Sequence, residues 1–487
     1  MRYQLTINGE SIAGAGEFPV INPATEDVVD MAPSCSAAQL DQAMSSAAAA
    51  FPAWAPDPVQ RSALLAQAAE RVRSAAAQLA PLFTAEQGRP LRKAEAEIAH
   101  AAKWLDYYSM LELPMPVAYD DDRRRAIVTQ RPLGVVAAIT PWNAPILLAM
   151  WKVAAALAAG NTVVLKPSPA TPLTTLALGS LLAEVFPPGV LNVVSGPEPL
   201  GRLVAEHPIP RKISVTGSVA TGRAVALAAA ADLKRVTLEL GGNDPAILLD
   251  DVALDQIAPE IIASAFANNG QVCEAIKRVY VPRRHYEHAV DTLAAALRLM
   301  RVGDGRDPNV DLGPLTTPAQ RDRVQELVDD AARSARVVVG GRRLDRPGYF
   351  FEPTLVADIA DGARLVDEEQ FGPALPVIAY DDESQVILRC NASPFGLTAS
   401  VWSADEQRAA AVANQLEVGR AKINGHGDVP IPEIPFGGVK CSGIGVENGP
   451  WGLTEYTTVH VTEYYQSAMP SPYPAALHGS SGKGAVR

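Results

Sequence analysis

The hydrophobic positions of this chain follow a helical period at first and later alternate between short apolar runs and helical stretches. Three alanine-rich segments open the chain, and their apolar residues recur at i, i+3 and i+4, which predicts helices. These helices are expected at Ala37–Phe51, Val59–Glu86 and Leu91–Met110.

Short β-branched runs then alternate with helical stretches. The runs are Val135–Ile139, Thr162–Leu165, Leu191–Val194, Lys212–Val215 and Val236–Glu239, and helical stretches such as Pro145–Ala159 and Pro172–Phe186 separate them. Strand, helix and strand at this spacing indicate right-handed crossovers that build a buried parallel sheet. The predicted fold class is therefore α/β, with a doubly wound, Rossmann-like first domain.

The alternation resumes after Gly241–Gly242 and continues to about Gly438, which predicts a second α/β domain. Its first elements are a strand at Ala246–Leu249, a helix through Phe266, a strand at Val279–Val281 and a helix at His285–Met300. Two strand-like runs, Ile127–Gln130 and Val459–Tyr465, lie outside both alternations. Each needs an edge to pair with, in this molecule or in a neighbour, so we expect a small β element and a homo-oligomer.

Composition excludes several classes of protein. The chain has 487 residues, of which 48% are hydrophobic, and a net charge of -12, which argues against nucleic-acid and anionic-membrane partners. Its four cysteines lack paired spacing, so neither a disulfide framework nor a metal site is expected, and a reducing cytoplasm is the expected compartment. The N-terminus has no apolar core of signal-peptide length, and polar residues and prolines interrupt the most apolar stretch, Val135–Leu165.

One cysteine stands out by its surroundings. Cys273 ends the run Phe-Ala-Asn-Asn-Gly-Gln-Val-Cys, where a helical pattern breaks at Gly270. A free cysteine is usually a small buried hydrophobe, but the polar patch before Cys273 suits a loop at a reactive site. Cys35, Cys390 and Cys441 lack such a setting, and we interpret them as structural.

In a doubly wound domain, ligands bind at the carboxyl ends of the strands. Here those ends carry Thr140–Asn143, Lys166–Pro169 and a glycine turn at Thr216–Gly222 that opens a helix. The turn lacks the GxGxxG spacing, so it is either an ordinary αβ turn or a pyrophosphate site at a helix N-terminus. Lys166 is either surface charge or a ligand of a ribose or phosphate.

Seven short motifs stand in one order along the chain. They are PWN at 141–143, KPS at 166–168, TGS at 216–218, ELGG at 239–242, GQVC ending at Cys273, EEQFGP at 368–373 and PFGG at 435–438. Together they resemble the aldehyde dehydrogenase superfamily from Asn22 to about Tyr465. The resemblance implies an NAD(P)-binding domain at 1–112 and 133–240, a catalytic domain at 241–440, oligomerisation strands at 113–132 and 453–466, and a flexible tail at 467–487.

The resemblance also implies a mechanism. The Cys273 thiolate would attack an aldehyde, Asn143 and the Cys273 N–H would hold the oxyanion, and Glu239 would activate water to hydrolyse the thioester to a carboxylic acid. Asn143 could instead cap the helix near Pro145, and Glu239 could cap a turn. Two other functions stay open: transfer of the thioester to CoA, and a non-catalytic protein that keeps the fold.

For the cofactor, the resemblance implies NAD, with NADP possible. The residues that would contact it are Ile139, Trp142, Lys166, Ser168, Gly217, Ser218, Thr221, Gly222, Glu369 and Phe371. Many NAD-preferring members carry a glutamate where this chain has Pro169, and a carboxylate there would repel a 2′-phosphate. We therefore expect relaxed use of both dinucleotides, with NAD first because no arginine stands beside Lys166.

The aldehyde tunnel implied by the resemblance does not name one substrate. Its lining would be Leu147, Trp151, Val272, Glu274, Phe436 and the loop from Asn424 to Phe436. The Glu274 charge could raise the pKa of Cys273 or attract a cationic substrate. We favour the alternative that it faces solvent or pairs with Lys277 or Arg278.

Overall fold

The computed structural model describes residues 3–427 and 429–465, so the proposed tail at 467–487 and Asp428 of the tunnel loop lie outside the described residues. The strands are β1 (Leu5–Ile7), β2 (Glu10–Ile12), β3 (Gly16–Ile21), β4 (Val28–Ser34), β5 (Val117–Asp120), β6 (Arg124–Pro132), β7 (Val135–Ile139), β8 (Thr162–Lys166), β9 (Leu191–Val193), β10 (Lys212–Thr216), β11 (Arg235–Glu239), β12 (Asp244–Leu248), β13 (Ile276–Pro282), β14 (Arg336–Val339), β15 (Thr354–Ala357), β16 (Ala374–Tyr380), β17 (Thr398–Trp402), β18 (Arg420–Ile423), β19 (Gly443–Ile444) and β20 (Thr457–Tyr465).

The helices fall between these strands. They are α1 (Ala37–Trp54), α2 (Pro58–Gln87), α3 (Leu91–Ser109), α4 (Pro145–Ala158), α5 (Leu173–Ala183), α6 (Leu200–Glu206), α7 (Val219–Ala231), α8 (Leu254–Ala265), α9 (Tyr286–Leu297), α10 (Pro318–Ala331), α11 (Arg364–Asp367), α12 (Glu383–Asn391), α13 (Glu406–Ala413) and α14 (Gly449–Thr454), with 3-10 turns at Ala267–Gly270, Arg283–His285 and Lys440–Ser442. No helix in the described parts of the chain is long and apolar enough to cross a membrane.

The first sheet contains eight strands in the order β19-β11-β10-β7-β8-β9-β1-β2. Strands β7 to β11 run parallel, and their residues are nearly all buried, as expected of a sheet covered by helices on both faces. The α/β fold class and the doubly wound first domain are confirmed. Two additions at the edges, β1–β2 and β19, were not predicted, because two or three residues show no measurable period.

The second sheet has the order β14-β15-β16-β13-β12-β17-β18 and is parallel except for the β14–β15 pair. It has apolar side chains on both faces, which form two separate clusters of buried residues. The first sheet and helices α1 to α5 share a third and larger cluster. Each sheet therefore has its own core, in agreement with two α/β units.

The two strands left over in the sequence pair with each other. β20 runs antiparallel to the whole of β6, and β5 pairs with the other edge of β6, which makes a three-stranded sheet. The side chains of Val459 and Val461 of β20 are 61% and 50% exposed. The small β element is therefore present, and it presents an apolar surface to solvent.

Helix boundaries follow ordinary capping rules. α1 begins after Ser36, which forms a reciprocal capping box with Gln39. α2 begins after Asp57 with Pro58 in its first turn and ends at Gly88, whose φ of 97° is a left-handed conformation that glycine adopts at low cost. These signals explain why the predicted bounds of both helices lie within a few residues of the observed ones.

Candidate active site

The turn before Cys273 has an unusual backbone. After α8 ends at Ala265, Asn268, Asn269 and Gly270 adopt φ values of 48°, 59° and 69° in succession. Asparagine and glycine are the residues that enter this left-handed region at least cost. A methyl group at Gly270 would overlap the carbonyl oxygen of Gly372, so glycine is required there for space as well. The turn leaves the Cys273 side chain half-buried beside the first core cluster.

Side-chain hydrogen bonds hold this turn from several directions. Asn269 donates to the Gly313 carbonyl at 2.6 Å, and Gln271 accepts from the Thr316 N–H at 3.0 Å. Asn268 accepts from the Gln87 amide at 3.1 Å. The polar residues that singled out Cys273 in the sequence therefore fix the conformation of its loop.

Asn143 lies against the same turn. Its side-chain amide donates to the Gln271 carbonyl at 2.9 Å, which leaves the second N–H of that amide for another acceptor. Its own carbonyl accepts from the Asn268 amide at 3.1 Å and from the Arg89 guanidinium. The Cys273 backbone N–H donates to no group within the described residues. Two N–H donors near the thiol are thus free for an oxyanion.

Asn143 does not cap the helix that follows it. The residue at the N-cap position of α4 is Ala144, and the orphan N–H groups of Ile146 and Leu147 donate to the Glu97 carboxylate at 3.2 Å each. Glu97 also forms a buried ion pair with Arg89. The capping alternative for Asn143 is wrong, because Glu97 from α3 performs that role.

Glu239 is the last residue of β11 and is only 3% exposed. Neither of its carboxylate oxygens has a hydrogen-bond partner within the described residues, so it caps no turn. Burial raises its pKa well above the ordinary value, the nearby Glu447 raises it further, and Lys152 opposes the shift. A buried carboxylate without partners is costly to a fold and is typical of groups that exchange protons.

Sequence reasoning missed the charged pair next to Glu239. Lys152 in α4 and Glu447 form an ion pair that is almost wholly buried, and Ser214 donates to the same Glu447 oxygen at 3.1 Å. The available signal was a lysine in the middle of the most apolar helical stretch, where a charge needs a buried partner. Lys152 is one of the polar residues that interrupt the apolar stretch Val135–Leu165.

Several charges act on the thiol of Cys273. Burial raises its pKa most, Glu274 raises it next, and Lys277 lowers it. Glu274 is only 6% exposed and pairs with Lys422 of β18 at 3.1 Å. The expectation that Glu274 faces solvent or pairs with Lys277 or Arg278 is therefore wrong; Lys277 instead donates to the Val272 carbonyl at 2.5 Å.

The glycine turn opens α7. Ser218 is its N-cap and accepts from the Thr221 N–H at 3.1 Å, while Gly217 and Thr221 stay partly or fully exposed. The Thr216 hydroxyl just before the turn is buried without a partner. This open helix N-terminus fits a pyrophosphate. Gly222 lies on the inner side, where an added methyl would be 2.5 Å from Leu240, so its role is close packing.

Lys166 ends β8 beside Ile139, its register partner in β7. The lysine is 5% exposed, and its ammonium group donates to the Pro167 carbonyl at 3.2 Å. Ser168 caps the turn that follows by accepting from the Ala170 N–H at 3.3 Å. The ammonium has two further N–H donors, which suit ribose hydroxyls.

Residues from both α/β units meet at the other end of the crevice. The rings of Trp142 and Phe371 lie edge to face at 5.4 Å, and the Lys277 ammonium lies 5.2 Å from the Phe371 ring. Glu369 accepts from the Gly242 N–H at 3.0 Å. An aromatic edge and a carboxylate beside the thiol fit a nicotinamide and its ribose.

The residues expected in the aldehyde tunnel separate into two groups. Leu147 and Val272 are half-buried, whereas Trp151 and Phe436 are buried. The rings of Trp151 and Phe436 lie edge to face at 5.3 Å, and Trp104 stacks on Trp151 at 5.4 Å. The Trp151 indole N–H is buried without a partner. Glu274 belongs to neither group, because its carboxylate is held by Lys422.

Comparison with known proteins assigns this arrangement to a family. A sequence model of the aldehyde dehydrogenase family matches residues 11–462. The chain belongs to the aldehyde dehydrogenase family. It is 38% identical over 469 residues to the succinate-semialdehyde dehydrogenase [NADP(+)] of Escherichia coli (strain K12), covering 94% of this chain and 97% of that protein. It is 37% identical over 473 residues to the betaine aldehyde dehydrogenase of Cereibacter sphaeroides, covering 95% and 97% of the two chains.

Solved structures of aldehyde dehydrogenases share the fold. The NAD+ complex of the aldehyde dehydrogenase from Bacillus cereus superposes with a TM-score of 0.93 at 34% identity, covering 96% of this chain and 97% of that one. The betaine aldehyde dehydrogenase of Staphylococcus aureus in complex with NAD+ gives a TM-score of 0.93 at 30% identity, covering 98% and 97%. The family and the two-domain fold suggested by the seven motifs are confirmed.

Proposed function

We propose that this aldehyde dehydrogenase oxidises an aldehyde to a carboxylic acid with NAD(P) through a covalent intermediate on Cys273. The observation that carries the proposal is a half-buried thiol next to a fixed amide donor, Asn143, and within the field of a buried carboxylate without partners, Glu239. Attack of the thiolate on the carbonyl gives a thiohemiacetal, whose oxyanion accepts from the Asn143 amide and the Cys273 N–H.

A bound nicotinamide would supply the hydride acceptor, and loss of hydride from the thiohemiacetal carbon would leave a thioester on Cys273. Water then attacks the thioester, Glu239 takes the proton from that water, and the acid leaves as the thiol is restored. A carboxylate whose pKa is raised by burial is a stronger base once ionised, which suits this step. Glu239 thus favours hydrolysis over transfer to CoA.

For the cofactor, we propose that Trp142, Glu369 and Phe371 contact the nicotinamide end, while Ile139, Lys166 and Ser168 contact adenosine. Gly217, Ser218 and Thr221 hold the pyrophosphate at the N-terminus of α7, supported by the exposure of this turn. NAD ranks first because no arginine stands beside Lys166, and NADP is accepted because Pro169 supplies no carboxylate.

For the substrate, we propose an aldehyde with an apolar body. Leu147 and Val272 are half-buried and line the tunnel, and the buried rings of Trp151 and Phe436 are its further proposed lining; apolar and aromatic groups of this kind favour aromatic or medium aliphatic aldehydes. The fixed Lys422–Glu274 pair offers no free charge to a cationic substrate.

For the assembly, we propose a homodimer or homotetramer that uses the three-stranded sheet, with domains at 1–112 with 133–240 and at 241–440. Val459, Val461, Tyr464 and Tyr465 are at least half exposed on β20, and such a surface is usually covered by a partner. All four cysteines are free thiols, which suits a reducing compartment such as the cytoplasm.

The decisive experiment compares wild type with Cys273→Ser and Cys441→Ser against aliphatic, aromatic and amino aldehydes, following the absorbance of the reduced cofactor. Cys441 is also half-buried, so it is a matched control. We expect turnover to fall by at least about 10³-fold in Cys273→Ser and to stay unchanged in Cys441→Ser. Equal turnover in both variants would overturn the covalent mechanism, and product that forms only with added CoA would favour the acyl-transfer alternative.

A further inference from the structure

Pro169, which follows β8, supplies no carboxylate, but the loop that follows the neighbouring strand β9 contains one. β8 and β9 run side by side, with Leu165 opposite Val193, so the loops that follow them leave the sheet at the same edge. The second loop leads to α6 and carries Glu198 in an exposed stretch.

The side chains of Glu198 and Lys166 both lie close to Gly201. A methyl group at Gly201 would lie 3.1 Å from the Glu198 Oε1 atom and 3.9 Å from the Lys166 Cε atom. The carboxylate and the end of the lysine side chain therefore flank the same small space. They form no direct ion pair, so each retains capacity for a ligand between or beside them.

The two groups also interact electrostatically. Burial lowers the pKa of Lys166, and Glu198 is the one charged group of the described residues with a resolved opposing effect on it. A carboxylate thus already balances the ammonium that a 2′-phosphate would otherwise pair with.

We propose that Glu198 is the residue that discriminates NAD from NADP in this chain. Its carboxylate accepts hydrogen bonds from the adenosine ribose hydroxyls beside Lys166 and repels a phosphate on the same ribose. The inference rests on the proposed role of Lys166 at the adenosine ribose. Glu198 supplies, from a different loop, the negative charge that Pro169 cannot provide.

The test measures binding rather than turnover. Dissociation constants for NAD+ and NADP+ are determined by calorimetry for wild type, Glu198→Gln and the control Glu206→Gln, which removes an exposed carboxylate at the end of α6. We expect the ratio of the NADP+ to the NAD+ constant to fall about tenfold in Glu198→Gln, and to remain unchanged in Glu206→Gln. Since repulsion between exposed charges is screened by salt, the wild-type ratio should also fall as salt is raised, and the Glu198→Gln ratio much less.

The outcomes separate two failures. A Glu198→Gln ratio within twofold of the wild-type ratio, with both dinucleotides bound, would overturn the role of Glu198 alone. Wild-type protein that binds neither dinucleotide would overturn the proposed function itself. A fall of the same size in Glu206→Gln would show a general charge effect and would also count against Glu198.

Discussion

The two sides of Cys273 are built in opposite ways. On the oxyanion side, which consists of Asn143, the turn at 268–271 and Arg89, each polar side chain makes at least one defined hydrogen bond, although the Asn269 Oδ1 atom has no partner among the described residues. On the base side, which consists of Glu239 and the Lys152–Glu447 pair, the Glu239 carboxylate and one Glu447 oxygen have no hydrogen-bond partner among the described residues. Both sides are buried, so solvent exposure does not explain the difference.

The difference corresponds to what each side must do. A donor that stabilises charge works best when its position is fixed before the reaction, because no reorganisation is then needed. A base must take a proton from water, and strong hydrogen bonds to its charged form would lower its pKa and weaken it. Fixed hydrogen bonds on the oxyanion side, and a Glu239 carboxylate without hydrogen bonds to the described residues, are both expected at a site of this kind.

The largest effect is expected on the base side. Glu239→Gln keeps the shape of the side chain and removes the base, so hydrolysis of the thioester should slow by about 10²–10⁴-fold. Rapid mixing should still show a burst of reduced cofactor equal to the number of sites, because the steps before hydrolysis depend on Cys273 and Asn143, which the variant leaves unchanged. A kcat within a few-fold of wild type would assign the base to another group.

A smaller effect is expected on the oxyanion side. Gly270→Ala forces a side chain into a left-handed backbone against the Gly372 carbonyl, which should destabilise the protein by more than the about 1–3 kcal/mol of backbone strain alone. The control is Gly362→Ala, which shares a left-handed φ of 95° but has open space around it.

Thermal unfolding and kcat measure this contrast. We expect Gly270→Ala to lower both Tm and kcat, and Gly362→Ala to lower Tm only slightly. Equal losses of Tm in the two variants would mean that contact with Gly372 does not hold the turn.

The smallest effect is expected from the charge of Glu274, which acts on the pKa of the Cys273 thiol. Glu274 raises the pKa of Cys273, so its removal should lower that pKa and move the rising limb of the pH–activity profile to lower pH by about one unit or less. The change is made as Glu274→Gln with Lys422→Met, because an unpaired buried Lys422 would cost about 3–5 kcal/mol. An unmoved profile would show that the Glu274 charge does not act on the reaction.

Local patterns predicted the parts of the molecule that depend on local sequence. The apolar period located α1 to α5 and the five parallel strands β7 to β11. The proposed nucleophile could also be singled out, because the Asn-Asn-Gly sequence that suits the left-handed turn lies only two residues before Cys273.

The parts that were missed depend on partners far away in the chain. Glu274 pairs with Lys422, Lys152 pairs with Glu447, and Glu97 caps a helix that begins at Pro145. Periodicity gives no information about which distant charge meets a buried one, so the nearest cations along the chain, Lys277 and Arg278, were the expected partners of Glu274. Strands β1 to β4 were not predicted for a related reason, because pairing with other segments stabilises them more than their own pattern does.

The base side is completed by the last elements that the ribosome makes among the described residues. Glu239 of β11 pairs with Gly443 of β19, the Lys152 partner Glu447 follows it, and β6 is covered by β20. A growing chain therefore contains its reactive thiol long before the surroundings of its base exist. The surroundings of Glu239 are complete only once β19 has paired with β11 and Glu447 has met Lys152.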